Sequence, residues 1–272
     1  VFVKIIYSSI CHTQLQEIKG TRGKDKFLPH CLGHEGVGKI IEKHKSVKKF
    51  KKGDLVCLSW IKGSGHDSGG VTYEDIKGNK INGGPVHTFN EYAAISQNRL
   101  YKLKSTINLK TKVLFGCALS TSYNALNNIS LKNSKTICII GAGGLGLSTV
   151  IIAKELGYKS FKILEFGCNN FDGIVDIEHF VNDIKEFLDI DCEIFGFTLK
   201  TGLPKYNVNP YDRLYRWSPG EMGLINNDNY KNIKSAKIYF GDVKKTVLEF
   251  KKKYKKTFKD SPIGFCIFDL DY

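Results

Sequence analysis

The chain has 272 residues, 42% hydrophobic and 25% charged, with 41 Lys and Arg against 27 Asp and Glu for a net charge of +14. This composition excludes a disordered or low-complexity chain, and the longest mostly apolar stretch, Ile137 to Ala153, is too short and too glycine-broken to cross a bilayer. The charge is almost all lysine, with four arginines (Arg22, Arg99, Arg213 and Arg216), which argues against bidentate recognition of nucleic acid; no nucleic-acid and no membrane partner is expected.

Val1 opens the chain, Met222 is its single methionine, and Phe268 to Tyr272 reads as a strand end, so both termini read as cut. No secretory pattern opens it, and eight cysteines without a C-x-x-C pair read as reduced thiols, so a cytoplasmic setting is expected. Residues 1–115 read as a β-rich domain. Val1–Tyr7, Gly36–Glu42, Leu55–Trp60, Glu91–Ile95 and Arg99–Leu103 are short strands between clusters of Gly, Asn, Ser and Lys, a barrel-like pattern.

The period then changes over residues 116–272. Leu114–Asn127 reads as a helix, and Thr136–Ile140 as a buried strand leading through a Gly-rich turn into a helix ending near Leu156. Strand Phe161–Glu165, helix Ile174–Leu188 and strand Cys192–Phe197 follow. After a long loop over 199–230 come strand Lys237–Phe240, helix Val243–Tyr254 and strand Ile263–Asp269. Alternating strands and helices predict a doubly wound, mostly parallel α/β sheet. The lysines of 251–259 interleave with Phe250, Tyr254 and Phe258 at helical spacing. A solvated lysine face over a buried aromatic one is the preferred reading, a phosphate-binding face the alternative.

Between the buried strand and its helix lies Gly141-Ala142-Gly143-Gly144-Leu145-Gly146, the G-x-G-x-x-G pattern at Gly141, Gly143 and Gly146. The first glycine allows a tight turn, the second lets backbone approach a pyrophosphate, and the third lets helix pack on strand, with the helix N-terminus facing the phosphates. Glu165 follows nineteen residues after Gly146 at the next strand end, where a carboxylate meets a ribose 2′-hydroxyl. NAD is therefore favoured over NADP; the competing reading is an ordinary tight strand–helix turn.

Cys11, His34 and Cys117 are three soft or borderline metal ligands. Each alone reads as a buried, inert residue. Together they form the Cys-His-Cys set of a catalytic zinc, with a fourth position open to water or substrate.

These segments resemble the medium-chain, zinc-dependent alcohol dehydrogenases over about residues 1–165. Ser9-Ile10-Cys11-His12-Thr13 resembles the first ligand segment, Gly33-His34-Glu35-Gly36-Val37-Gly38 the second and Gly116-Cys117-Ala118-Leu119-Ser120-Thr121 the third. Gly53-Asp54-Leu55-Val56 and Thr88-Phe89-Asn90-Glu91-Tyr92 match segments of the family's GroES-like barrel. The resemblance implies zinc on Cys11, His34 and Cys117, a proton relay starting at Thr13, Glu35 able to approach the metal, and Thr121 with Gly144 among the cofactor contacts. It implies only the catalytic zinc, since no cysteine lies between Trp60 and Val86. The chain departs from the family at Gln14, where an acid is usual, at Gln16, where a relay histidine often lies, and at Ser122, which replaces a glycine.

After Glu165 the residues resemble a class I S-adenosylmethionine-dependent methyltransferase. Leu164-Glu165-Phe166-Gly167, Gly196-Phe197, Gly241-Asp242-Val243 and Phe268 to Tyr272 match its strand ends, which implies Glu165, Gly167, Asp242 and Asp269 around that cofactor. The leading expectation is a GroES-like zinc domain over 1–115 and a Rossmann-like domain over 116–272. The activity expected is a zinc- and NAD-dependent alcohol or aldehyde oxidoreductase acting on a small molecule. The alternatives are a methyltransferase fragment or an inactive composite of the two.

Overall fold

The computed structural model describes residues 1–20, 23–104, 108–128, 136–141, 143–158, 160–166, 182–183, 186, 190–198, 236–240, 243–256 and 266–268. The chain forms two compact units, Val1–Thr121 and Ser122–Tyr272.

In the first unit, runs of β-branched residues form β1 (Phe2–Ser8), β2 (Glu35–Glu42) and β3 (Leu55–Ser59), and shorter runs form β6 (Tyr92–Ala94) and β7 (Leu100–Lys102). They build one antiparallel sheet in the order β6-β1-β2-β3-β7. Its buried face gathers Val3, Ile40, Val56, Leu58, Ala93, Ile95 and Leu100, closed by Val47 and Phe50 from the loop after β2. Each such side chain removed from water contributes about 1.5–3 kcal/mol.

Two elements here lie beyond the sequence expectations. β4 (Val71–Glu74) and β5 (Lys80–Gly84) form a hairpin. Its turn is set by Asp75, whose carboxylate accepts from the amides of Lys77 at 2.8 Å and Asn79 at 2.9 Å. A short helix, α1 (His12–Ile18), starts at Cys11. The expected helix over Leu114–Asn127 is divided: α2 (Leu109–Lys112) leads into a 3-10 turn at Val113–Gly116, Cys117 breaks the path at φ −140° and ψ −80°, and α3 (Ala118–Asn127) follows.

The second unit carries β8 (Thr136–Ile140), α4 (Gly144–Glu155), β9 (Ser160–Phe166), β10 (Asp191–Thr198), β11 (Ala236–Phe240), α5 (Val243–Lys253) and β12 (Cys266–Phe268). The described strands pair in parallel in the order β11-β10-β9-β8-β12. Alternation along each strand makes both faces apolar, as helices on both sides require. Ile137, Ile139, Phe161, Ile163, Cys192 and Ile194 face one core with Val150 and Ala153 of α4. Cys138, Ile140, Leu164 and Phe195 face another with Phe250 of α5. On the latter side Glu193 bridges Lys162, which is 7% exposed, and Lys237, whose Nζ lies 3.0 Å away. In α5, Phe250 is buried while Lys251, Lys252 and Lys253 are exposed, as a solvated lysine face requires. The expected helix over 174–188 and the loop over 199–230 lie largely or wholly outside the described residues, as do residues 257–265.

Candidate metal centre and dinucleotide cradle

Three separated segments of the first unit place the candidate ligands. Cys11 precedes α1, and its thiol receives both the amide and the hydroxyl of Thr13. His34 precedes β2 and is held by the segment beside it: the amides of Thr88 and Phe89 donate to the Leu32 carbonyl at 3.0 Å each. The Ser8 hydroxyl meets the Thr88 hydroxyl at 2.7 Å and the Glu35 carbonyl at 3.0 Å. Cys117 is carried in by Gly116, whose carbonyl accepts from the Ser59 hydroxyl at 2.7 Å. A side chain at 116 has no room: a Cβ would sit 2.5 Å from the Leu58 carbonyl oxygen and 2.7 Å from Glu35 Cβ.

The ligand atoms of Cys11, His34 and Cys117 all lie within 4.8 Å of one another. The Cys117 thiol and then the His34 imidazole beside it hold the Cys11 thiol well below the usual range, while the bond to Cys11 and burial push the Cys117 thiol up. Two buried polar atoms on adjacent residues, His34 Nε2 and Glu35 Oε2, make no well-aligned hydrogen bond, and Thr121 Oγ1 is another such atom of the first unit. An unpaired buried group costs about 1–3 kcal/mol, so a cluster of them marks a place built for something else. Two sulfurs and an imidazole nitrogen at this spacing fit a zinc ion. Glu35 is 4% exposed, and burial pushes its carboxyl up. Cys31 and Cys57 are also free thiols, and burial pushes that of Cys57 up to about 12.

The His34 ring is held from behind. Gln14, 1% exposed, accepts from the Cys11 amide through Oε1 at 3.1 Å and contacts His34 Nδ1 through Nε2. Gly116 and Thr88 fall in segments that the family resemblance marks, but their contacts, like those of Ser8 and Ser59, join residues tens of positions apart and carry no local sequence signal.

In the second unit, Gly141 follows β8 with φ +96°, a conformation that favours glycine, and its amide donates to the Leu164 carbonyl of β9 at 2.8 Å. Gly143 caps α4, Gly144 is its first residue, and Gly146 is buried in its first turn. The strand order reverses at β8: the chain moves outward through β9, β10 and β11, then returns to place β12 on the other side of β8. In open α/β sheets the ligand crevice lies at such a reversal, outside the strand carboxyl ends. The cradle and the N-terminus of α4 sit there. Glu165 lies at the corresponding end of β9 opposite Gly196, while its side chain is outside the described set. A methyltransferase-type site centred on β9 would need the reversal beside that strand, which instead lies between β8 and β10. Gly167, Asp242 and Asp269 fall outside the described residues.

The first unit is thus an antiparallel sheet carrying a Cys-His-Cys set, and the second a parallel sheet with a glycine cradle at its reversal. Residues 1–105 match the alcohol dehydrogenase GroES-like domain, so the first unit carries that domain. The NAD-dependent alcohol dehydrogenase of Sulfolobus acidocaldarius is 35% identical over 170 residues, covering 57% of this chain and 48% of that protein. Alcohol dehydrogenase 1 of Emericella nidulans is 29% identical over 168 residues, covering 58% and 47%. The chain thus spans about half the length of the curated relatives it matches. Among solved structures, CAD from Helicobacter pylori in complex with NADP(H) superimposes with a TM-score of 0.52 at 20% identity, over 94% of this chain and 80% of that one. A cobalt- and zinc-bound thermostable alcohol dehydrogenase from Pyrobaculum aerophilum gives a TM-score of 0.50 at 16% identity, over 74% and 62%. The resemblance to medium-chain zinc alcohol dehydrogenases and the fold class are borne out. The methyltransferase resemblance finds no support in these matches.

Proposed function

We propose that this protein is a zinc- and NAD-dependent alcohol or aldehyde oxidoreductase. The observation that carries the reading is the convergence of Cys11, His34 and Cys117 from three distant segments to within 4.8 Å. Two thiolates balance the charge of a divalent cation, the imidazole is neutral, and the fourth position is left to the oxygen of a small alcohol or aldehyde. When bound, zinc would supply Lewis-acid polarisation of that oxygen. The Thr13 hydroxyl donates toward the Cys11 thiol; turned away from that sulfur, it would accept a substrate proton on its oxygen while releasing its own proton outward. Glu35 stands as a buried carboxyl able to approach the metal, and the unpartnered Thr121 hydroxyl is assigned to the cofactor.

Gly141, Gly143, Gly144 and Gly146 are assigned to the pyrophosphate, and the backbone position of Glu165 supports a ribose-binding carboxylate and NAD. A bound dinucleotide would supply the hydride acceptor. The functional division follows as a catalytic zinc domain over 1–115 and a nucleotide-binding domain over 116–272. Reduced thiols accord with a cytoplasmic setting, and no described helix is long and apolar enough to cross a membrane.

The test is metal content and NADH binding on one purified sample. About one zinc per chain, lost in Cys11→Ala, together with NADH binding is expected. A metal-replete protein without stoichiometric zinc, or Cys11→Ala with unchanged zinc, overturns the reading.

A further inference from the structure

We propose that Gln14 is a positioning residue that sets the tautomer of His34 against the metal, so that this site holds zinc more weakly than its ligand set allows. The inference rests on the reading of Cys11, His34 and Cys117 as a zinc site. Its basis is one buried amide that must serve two groups at once.

The side chain of Gln14 spans the Cys11 amide on one end and His34 Nδ1 on the other. A backbone N–H can only donate, so the end of the amide 3.1 Å from Cys11 N must be Oε1. The end at the imidazole is therefore Nε2, which can only donate. His34 Nδ1 must then offer its lone pair, and the proton of the neutral ring sits on Nε2. With Nδ1 taken by Gln14, Nε2 is the nitrogen left to face the two sulfurs. It is buried, and the other partner of the His34 ring is the Cys11 thiol.

A metal needs the opposite arrangement, a lone pair on Nε2 with the proton on Nδ1. To accept from Nδ1–H, the Gln14 amide must turn over, and its NH2 then meets the Cys11 N–H, donor against donor. Either the ring nitrogen or the Cys11 amide is left unsatisfied in a site where Gln14 is 1% exposed. A carboxylate has no such conflict, since both oxygens accept. Glutamate has the length and branching of glutamine, so Gln14→Glu turns the donor into an acceptor; it also adds one negative charge, so the His34 tautomer and not affinity alone reports the positioning role. Supporting partners of this kind shift metal affinity by about 10–100-fold.

The experiment uses the full chain, stripped of metal. Zinc affinity is measured by competition with a chromophoric chelator for the wild type, Gln14→Glu and the apolar, similar-sized Gln14→Met. The His34 tautomer is read from ring-nitrogen chemical shifts in the metal-free protein. The expected results are zinc binding about 10–100-fold tighter in Gln14→Glu than in the wild type, no such gain in Gln14→Met, and an Nε2-protonated ring that becomes Nδ1-protonated in Gln14→Glu. A wild-type ring protonated on Nδ1 overturns the proposal even if Gln14→Glu fails to fold. So does a folded Gln14→Glu that binds zinc no tighter than the wild type. If the wild type binds zinc and the two proteins match, the zinc reading stands and the role of Gln14 falls. If neither binds zinc, both fall.

Discussion

Replacing Gly116 by alanine tests whether the Cys117 ligand is placed by backbone packing rather than by the metal. The new Cβ would lie 2.5 Å from the Leu58 carbonyl oxygen, against an ordinary contact from 3.4 Å, so the strand or the turn must yield by about 0.9 Å. The second obstacle, Glu35 Cβ at 2.7 Å, belongs to β2 beside His34, so relief by moving β2 disturbs another ligand segment. Overpacking of this kind costs about 1–3 kcal/mol. Metal–ligand distances tolerate only about 0.2 Å, so a displacement several times larger should weaken zinc by at least about tenfold. Chelator competition reads the zinc affinity and thermal melting reads the stability, with Ser59→Ala as the companion that loosens the same carbonyl without crowding it. A Gly116→Ala protein that melts lower yet binds zinc as tightly as the wild type would refute the reasoning. Cys117 would then reach the metal independently of the packing beneath it.

Four further outcomes are expected. Cys117→Ala should abolish stoichiometric zinc, measured by metal analysis, while NADH binding at the Gly141–Gly146 cradle persists in calorimetry. Gly141→Ala should weaken NADH binding and lower stability by on the order of 1–2 kcal/mol, because φ +96° strains any residue with a Cβ; unchanged affinity and melting would remove the cradle argument. Glu193→Gln leaves Lys162 without its counter-charge and should cost about 1–3 kcal/mol in a denaturant midpoint. Burial raises the Glu193 carboxyl, but Lys162 and Lys237 together hold it below its ordinary value. The stability it adds is therefore complete above the unfolded carboxylate range and fades as pH falls through the lower folded value; the variant's melting should show a flatter acid limb. Tyr73→Phe removes a hydroxyl that accepts from the Ala94 amide at 2.8 Å and pairs with buried His87 at 2.7 Å. It should destabilise by about 1–3 kcal/mol with zinc affinity unchanged.

What could be read from sequence follows from the range of the interactions involved. The cradle is local: strand, three spaced glycines and helix lie within thirty residues, and their backbone demands are written in residue type. The strands β2, β3, β8, β9, β10 and β11 were legible for the same reason, as runs of β-branched and aromatic residues bounded by turn formers. The candidate metal ligands were nameable one by one, but their meeting depends on Leu32, Ser8, Ser59 and Gly116, whose contacts cross 27 to 80 residues of chain. The break at Cys117 lay hidden inside a helical pattern, because the bond pinning Gly116 comes from β3. The hairpin β4–β5 was legible in principle: Asp75 to Asn79 is a turn sequence flanked by alternating residues. Helix α1 was not, since seven residues give too little periodicity and its start is fixed by Gln14 reaching back to Cys11.

The reversal of strand order at β8 also has a temporal side. β12 pairs with β8 through Cys266, Ile267 and Phe268, roughly 125 residues after β8 ends at Ile140. At ribosomal rates of about 5–20 residues per second, that flank of β8 stays open for roughly 6–25 s during synthesis. Its row of Ile137, Cys138, Ile139 and Ile140 is an apolar edge of the kind that captures other strands. The nascent chain therefore carries a hazard of mispairing at the same edge that bounds the proposed nucleotide crevice, and a chaperone that shields it would act before any cofactor could bind.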